Sequence, residues 1–270
     1  MKPCILICND DGIEAPGILA LYHALRSMGQ LTVVAPHAEQ SAVSHGITLA
    51  NPLKVYPVRR EGGFEGYAVT GTPVDCVKLA VTQLMARPPD VVVSGINLGP
   101  NAGVSVIYSG TVSAASEGVM LGIPAVAISL ATFKNPLWET AAHVAPRIVT
   151  EVFQRGLPPD TLLNVNVPNR PVSELKGVRI TRVARSRFVE IFHERTNPRG
   201  DRYFWLDGEL QMLDDKEGTD LQALDDGFVS VTPLGLDRTR HDVLPLLGEW
   251  NLQVGTGKNC RVARRAKKDG

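Results

Sequence analysis

Residues 3–8, Pro-Cys-Ile-Leu-Ile-Cys, form an unbroken apolar run that stops at Asn9-Asp10-Asp11-Gly12. A strand with one wet face alternates apolar and polar residues, so an unbroken run predicts a strand covered on both faces. Pro16 then stands near the start of a helical pattern. Ile18, Leu21 and Leu25, with Leu19 and Tyr22, recur at helical spacing, and Gly29 stops it. Leu31–Ala35 reads as the next strand. This is a β-α-β unit, and such units cross over right-handed into a parallel sheet.

The alternation continues. Thr72-Pro73-Val74-Asp75 has an N-cap, a proline at the first helical position and a capping-box acid, so a helix is predicted to about Met85. Val91–Ser94 reads as a short buried strand, Thr111–Leu121 as a helix closed by Gly122, and Ala125–Leu130 as a strand. Asn135-Pro136 opens a long helix to about Arg155. Pro146 inside it predicts a kink or a split. Leu162–Val167 follows as a strand. Strands alternating with helices imply a doubly wound α/β sheet.

After about residue 184 the helical periodicity disappears, and aromatic islands (Phe188, Phe192, Tyr203, Phe204, Trp205) alternate with charge. Extended β-hairpins leaving the core are expected there. Exposed aromatic strands want a partner, which suits an oligomerisation arm. Phe228–Thr232 resumes a core strand, and His241–Leu252 suits a final short helix. The expected organisation is an α/β core over 1–184, an arm over 185–227, a strand and helix returning to the core over 228–257, and a basic, disordered tail over 258–270.

A chain of 270 residues, 44% hydrophobic, can bury a core without disulfides. Its four cysteines form no CxxC pair, and Cys4 and Cys8 share one strand face as small core residues. Lys+Arg and Asp+Glu are both 28, which gives no general argument for a nucleic acid or membrane partner. The tail from Lys258 departs from this balance, with six basic residues against Asp269. A solvated tail is the plain reading and RNA contact the sharper one. The apolar run before Asn9 is too short for a signal peptide, and no stretch approaches the roughly 20 apolar residues of a membrane helix. A reduced, cytoplasmic protein is expected.

In open parallel sheets ligands bind beyond the carboxyl ends of the strands. That rule gathers three segments: Asn9–Gly12, the loop Pro36–Gly46 with Ser41, Ser44, His37 and His45, and Gly95–Gly103. Asp10 and Asp11 are adjacent carboxylates on a turn. They repel unless a divalent cation lies between them, and Asn97 can add an amide oxygen. The alternative is an Asx turn with a helix-terminal charge. Ser109-Gly110-Thr111 stands at the start of a helix, where free N–H groups favour an anion such as phosphate. The alternative there is an N-cap and tight turns. No GxGxxG follows the first strand, and there is neither a GxxxxGK[ST] nor a GxSxG. The NAD-type dinucleotide fingerprint is thus missing, a Walker-A NTPase is ruled out, and the absent elbow argues against an α/β-hydrolase.

ILICNDDGIEAPGILAL (5–21), PHAEQSAVSHGITL (36–49), YAVTGTPVDCVKLA (67–80), the run 91–118 containing SGINLGPNAG and SGTVSAASEG, and IPAVAISL (123–130) together resemble the SurE (survival protein E) family. PRGDRYFWLDGE (198–209) and TDLQALDDGFVSVTPL (219–234) extend the resemblance. It implies a Rossmann-like, mostly parallel doubly wound sheet with a C-terminal β-hairpin arm, and a homodimer or homotetramer. It implies a metal-dependent 5'-nucleotidase acting on nucleoside 5'-monophosphates, with 3'-nucleotides and short polyphosphate as further substrates. One divalent ion per subunit (Mg²⁺, Mn²⁺ or Co²⁺) would be held by Asp10, Asp11, Ser41 and Asn97. Asp10, Asp11 and Asn97 would be catalytic. Asn9, Asn101, Ser109, Gly110 and Thr111 would contact the substrate phosphate. His241 falls near a position implicated in some members. The competing readings are a nucleotide-binding sensor without turnover and an RNA-associated protein.

Overall fold

The computed structural model describes residues 2–214 and 217–250. The basic tail 258–270 and the end of the expected helix His241–Leu252 lie outside these residues. Residues up to Leu236 form one compact unit and residues from Asp237 another. In the first, β1 (Cys4–Cys8) leads through α1 (Pro16–Leu25) to β2 (Gln30–Pro36). A hairpin of β3 (Val55–Arg59) and β4 (Glu65–Val69) precedes α2 (Pro73–Leu79) and β5 (Val91–Leu98). Next come α3 (Ser105–Tyr108), α4 (Gly110–Met120), β6 (Ala125–Ala131), α5 (Trp138–Arg155), β7 (Thr161–Pro168) and β8 (Val178–Ile180). The hairpin β9 (Ser186–Thr196) and β10 (Arg202–Met212) is followed by α6 (Asp220–Asp225) and β11 (Val229–Gly235). In the second unit α7 (Leu244–Gly248) is a single short helix, and His241 Nε2 pairs with Asp237 Oδ2 at 2.6 Å.

The nine-stranded sheet runs β3-β4-β2-β1-β5-β6-β7-β11-β8 and is mostly parallel, with β3 and β11 running against β4 and β7. It is the expected α/β class. The apolar run of β1 is buried at every position. Ile5 and Ile7 pack into one core with Ile18, Leu21 and Val144, while Leu6 and Cys8 pack into the other with Val77, Val112 and Ala115. Alternation in the strand thus feeds two helical layers, α1 and α5 on one side, α2 and α4 on the other. Cys4, Cys8 and Cys76 are buried free thiols.

The chain goes from β1 to β2 on one side and later places β5 on the other side of β1. The carboxyl ends of β1 and β5 therefore flank the point where the strand order reverses, which is where such sheets open a crevice.

Several expectations need correction. Of the kink or split expected at Pro146, the split does not occur: the helix is continuous over Trp138–Arg155. Proline removes one backbone donor, but the buried stripe Ala141, Val144, Ala145, Val149 and Val152 holds the helix on the core across it. The regular helix after Thr72 ends at Leu79 and continues as a π-helical turn over Ala80–Leu84. Strand β5 runs four residues beyond Ser94. The strands β3, β4 and β8 were not expected: β3 and β8 are half-exposed edge segments whose mixed pattern carries little period-2 signal. Only 186–212 of the expected arm leaves the sheet. Residues 219–227 return to it, because Asp220 Oδ2 accepts from Gly103 N at 3.0 Å and α6 packs on β11.

Helix α1 lies on β5 so closely that a Cβ at Gly17 would sit 1.9 Å from the Ile96 carbonyl oxygen. Helix propensity alone would make Gly17→Ala stabilising by about 1 kcal/mol. Overpacking against backbone reverses the sign, so the variant should lose about 2 kcal/mol or more, read as a lower midpoint in urea denaturation.

Candidate active site

The turn after β1 is held by Asn9, whose Nδ2 donates to the Gly12 carbonyl at 2.9 Å. It presents Asp10 and Asp11 at the crevice. Asp10 is buried. The hydroxyl of Thr111 donates to Asp10 Oδ1, and the backbone amides of Gly110 and Thr111 also bond to this carboxylate. The free donors and positive end of α4 are therefore aimed at Asp10. Gly110 is what permits the approach, since a Cβ there would lie 2.7 Å from Asp10 Cβ. Burial raises the Asp10 carboxyl, and these hydrogen bonds oppose the rise.

Asp11 is pushed up to about 7, first by burial, then by the Asp10 charge, with Glu39 adding to the rise and the Leu98 amide opposing it. That amide donates to Asp11 Oδ2 at 3.1 Å. Asn97 comes from the end of β5, where the pairing to β6 shifts register between Gly95 and Asn97. Such a bulge re-aims the next side chain. Asn97 Nδ2 donates to the Gly99 carbonyl at 2.8 Å, which turns Oδ1 towards Thr111 Oγ1, 3.2 Å away. Thr111 has one hydroxyl proton, and the charged, shorter contact to Asp10 takes it. Asn97 Oδ1 keeps its lone pairs.

Ser41 arrives on the loop after β2. Gln40 N donates to the Asp10 carbonyl at 2.8 Å. The Ser41 hydroxyl donates to Glu39 Oε1, so the Ser41 oxygen also keeps lone pairs to offer. The far end of the loop is tied down by His45 Nε2 to Glu117 Oε2 at 2.9 Å and by Thr48 Oγ1 to Asp75 Oδ2 at 2.6 Å. Glu117 is buried on α4 and also meets Lys78 Nζ at 2.6 Å.

Asp10, Asp11, Ser41 and Asn97 line one cleft of about 760 Å³, together with Asn101 and Ser109. Asn101 is set by the polar floor of β6 and β7. Its amide donates to Asn166 Oδ1 and its Nδ2 to Ser129 Oγ, both at 2.8 Å, while Asn164 Nδ2 donates to its carbonyl at 2.8 Å. Ser109 caps α4, accepting from Val112 N at 3.0 Å. Asn9, Gly110 and Thr111 are not on the cleft wall. The latter two act on Asp10, and Asn9 keeps a buried Oδ1 without a partner. Glu39, Glu117, Ser129, Asn164 and Asn166 escaped the sequence reading. A buried polar residue on a core strand was the available signal for Ser129 and the two β7 asparagines.

The donors are all oxygen: two carboxylates, one amide and one hydroxyl. Among the described residues no three His, Cys, Asp or Glu side chains gather as a metal cluster. The set fits a hard divalent cation and does not fit a structural zinc site. Two adjacent carboxylates, both raised by burial and Asp11 further by the Asp10 charge, are what such a cation would relieve.

The family model for survival protein SurE matches residues 5–190. The 5'-nucleotidase SurE of Syntrophobacter fumaroxidans is 49% identical over 248 residues, covering 92% of this chain and 99% of that protein. The chain belongs to the SurE family. The 5'-nucleotidase SurE of Heliobacterium modesticaldum is 44% identical over 266 residues, covering 98% and 97% of the two chains. The crystal structure of the SurE protein from Aquifex aeolicus superposes with a TM-score of 0.78 at 42% identity, covering 91% of this chain and 98% of that one.

The raised Asp11 makes the stability of the chain without added metal depend on pH. Its carboxyl titrates near 7 in the folded chain and near 3.8 when unmodified by the fold. Between these values the folded state holds the proton and the unfolded state does not, so stability rises as pH falls from about 7 towards 4. In EDTA, Tm should be higher at pH 5.5 than at pH 8. Asp11→Asn should raise Tm at pH 8 and flatten the difference.

Proposed function

We propose that this SurE chain is a metal-dependent phosphomonoesterase that hydrolyses nucleoside 5'-monophosphates to nucleoside and phosphate. The observation that carries the reading is the charge of the cleft. Asp10, Asp11, Glu39 and Glu190 line it, and among the described residues no Lys, Arg or His does. A phosphate dianion cannot enter such a site unless a cation accompanies it. Asp10, Asp11, Ser41 and Asn97 line the same cleft and would offer that cation their oxygens. The relatives' name, 5'-nucleotidase SurE, supports the same substrate class. The family resemblance adds 3'-nucleotides and short polyphosphate as further substrates.

Asp10, clamped by Thr111 and α4, and Asp11, held by the Leu98 amide, would be the anionic ligands. Ser41 and Asn97 would be the neutral ones, so the two carboxylates and the cation would sum to zero charge rather than repel the phosphate. These residues would hold Mg²⁺, Mn²⁺ or Co²⁺, which would supply charge for the phosphoryl oxygens and a more acidic water. Ser109 uses its lone pairs on α4 and keeps its proton, so it can donate to a phosphoryl oxygen. Asn101 is fixed beside it by Ser129 and Asn166. The amides of Gly110 and Thr111 serve the phosphate indirectly, by holding Asp10. Asn9 shapes the turn that aims both aspartates.

We assign the hairpin β9–β10 to self-association into a dimer or tetramer. Strand register puts Val189, Ile191, Tyr203 and Trp205 on one face, and all four are exposed. Among the described residues no helix is long and apolar enough to cross a membrane. The reduced state of the three described cysteines accords with a cytoplasmic setting.

Phosphate release from nucleoside 5'-monophosphates should vanish in EDTA and return with Mg²⁺ or Mn²⁺. Asp11→Asn should fold and lose about 10³-fold or more in kcat; a folded variant with normal turnover would refute the assignment. Trp205→Glu should shift sedimentation velocity towards the monomer, because a buried charge opposes an apolar contact.

A further inference from the structure

We infer that Asp220 and Ser186 are positioning residues for the reaction: together they clasp the loop that carries Asn101 to the base of the hairpin β9–β10, and so set where Asn101 stands in the cleft. The inference rests on the phosphomonoesterase reading above. It adds two residues to that reading, neither of which lines the cleft.

Asn101, Ala102 and Gly103 form a buried stretch between β5 and α3. It belongs to no helix or strand, so its backbone donors must be met by side chains from elsewhere. Gly103 N donates to Asp220 Oδ2 at 3.0 Å, and Val104 N donates to Ser186 Oγ at 2.9 Å. These partners stand 117 and 82 positions away along the chain. Asp220 is fully buried, at 0% exposure. Its other oxygen, Oδ1, accepts from Ala184 N at 3.0 Å and from Leu221 N at 2.8 Å. A buried carboxylate is costly unless its oxygens are satisfied, and here backbone amides satisfy both. One side chain therefore joins three segments: the Asn101 loop, the chain entering β9, and the first turn of α6. Gly103 lies at the closest approach. Its φ is +55°, and a Cβ there would sit 2.4 Å from Ser186 Oγ.

The hairpin side of the clasp reaches the same cleft. Alternate residues of a strand share a face, so Ser186, Phe188 and Glu190 point the same way from β9. Ser186 bonds the loop, and Phe188 and Glu190 line the cleft beside Asn101. The loop is thus fixed from two directions. Asn164, Asn166 and Ser129 hold it to the sheet, and Asp220 and Ser186 hold it to the hairpin. An aspartate suits position 220 where an asparagine does not. An amide has one acceptor oxygen, and turning that oxygen to Ala184 and Leu221 aims its NH2 group at the Gly103 N–H. Asp220→Asn should therefore release the Asn101 loop while α6 stays fastened.

The test is a double-mutant cycle on the full chain, with AMP as substrate at saturating Mg²⁺ and well below Tm. Asn101→Ala should lower kcat about 10²-fold. Asp220→Asn should lower kcat about 10- to 100-fold, because a donor displaced by about 1 Å loses its alignment. In the Asn101→Ala background the same change should cost under about 2-fold, since the residue it acts through is gone. Ser186→Ala should show a smaller loss, about 5-fold, with the same dependence on Asn101. Mg²⁺ affinity, read by calorimetry, should not move, because the metal donors lie outside the clasp. General loosening of the fold would instead lower Mg²⁺ affinity and cost as much without Asn101 as with it, and that result would overturn the inference. So would a folded Asp220→Asn chain with wild-type kcat. If Asp220→Asn does not fold, Ser186→Ala runs the same cycle, and a loss independent of Asn101 overturns the inference there. Absence of phosphate release from AMP by the wild type under every divalent metal would instead overturn the phosphomonoesterase reading and the inference with it.

Discussion

The contact on which the site depends is that between Asp10 and the first turn of α4. A buried carboxylate is costly unless its oxygens are satisfied, and here the Thr111 hydroxyl and the amides of Gly110 and Thr111 satisfy them. The same contact orients the helix, consumes the Thr111 proton and so leaves the Asn97 oxygen free. It also explains why glycine stands at 110, where any side chain would collide with Asp10. A helix N-terminus is usually read as an anion site for a ligand. In this SurE chain the anion at that helix end is part of the protein.

Around that contact the fold arranges charge asymmetrically. Positive partial charge from α4 is spent inside, on Asp10. The cleft itself shows four carboxylates and no basic side chain among the described residues. Without a cation to offset them, these carboxylates oppose the entry of an anion. The polar residues that stabilise the site from below, Ser129, Asn164 and Asn166, sit on core strands where apolar residues would pack as well. They are there to hold the Asn101 loop. The loop carrying Ser41 is similarly tethered, through His45 to Glu117 and through Thr48 to Asp75.

The unbroken apolar run of β1, the capping box at Thr72 and the β-α-β rhythm were enough to read the α/β class and most core elements, because these signals are local. The fully buried strands were legible because both faces must be apolar. The edge strands β3 and β8 were not, since exposed edges carry a mixed pattern. Pro146 does not split α5, because one missing hydrogen bond is outweighed by the buried stripe of that helix. The separation of the arm from α6 was hidden because Asp220 gains its role only from the amides of Gly103 and Ala184, far away along the chain.

The sequence by itself determined that this chain forms a doubly wound sheet with Asp10, Asp11, Ser41 and Asn97 on loops at one end of it. Residue types, spacing and the strand-end rule suffice for that, since they are properties of short segments. Only the tertiary structure decided which donors face the ligand and which face the protein. Thr111 and Gly110 turn to Asp10, Asn101 is pinned by β6 and β7, and Glu39 and Glu190 line a cleft that no local pattern reveals. The physical reason is that a hydrogen bond or a repulsion depends on positions within a few ångströms. For residues such as Thr111 and Asp10, 101 positions apart, those positions exist only once the sheet has brought the loops together.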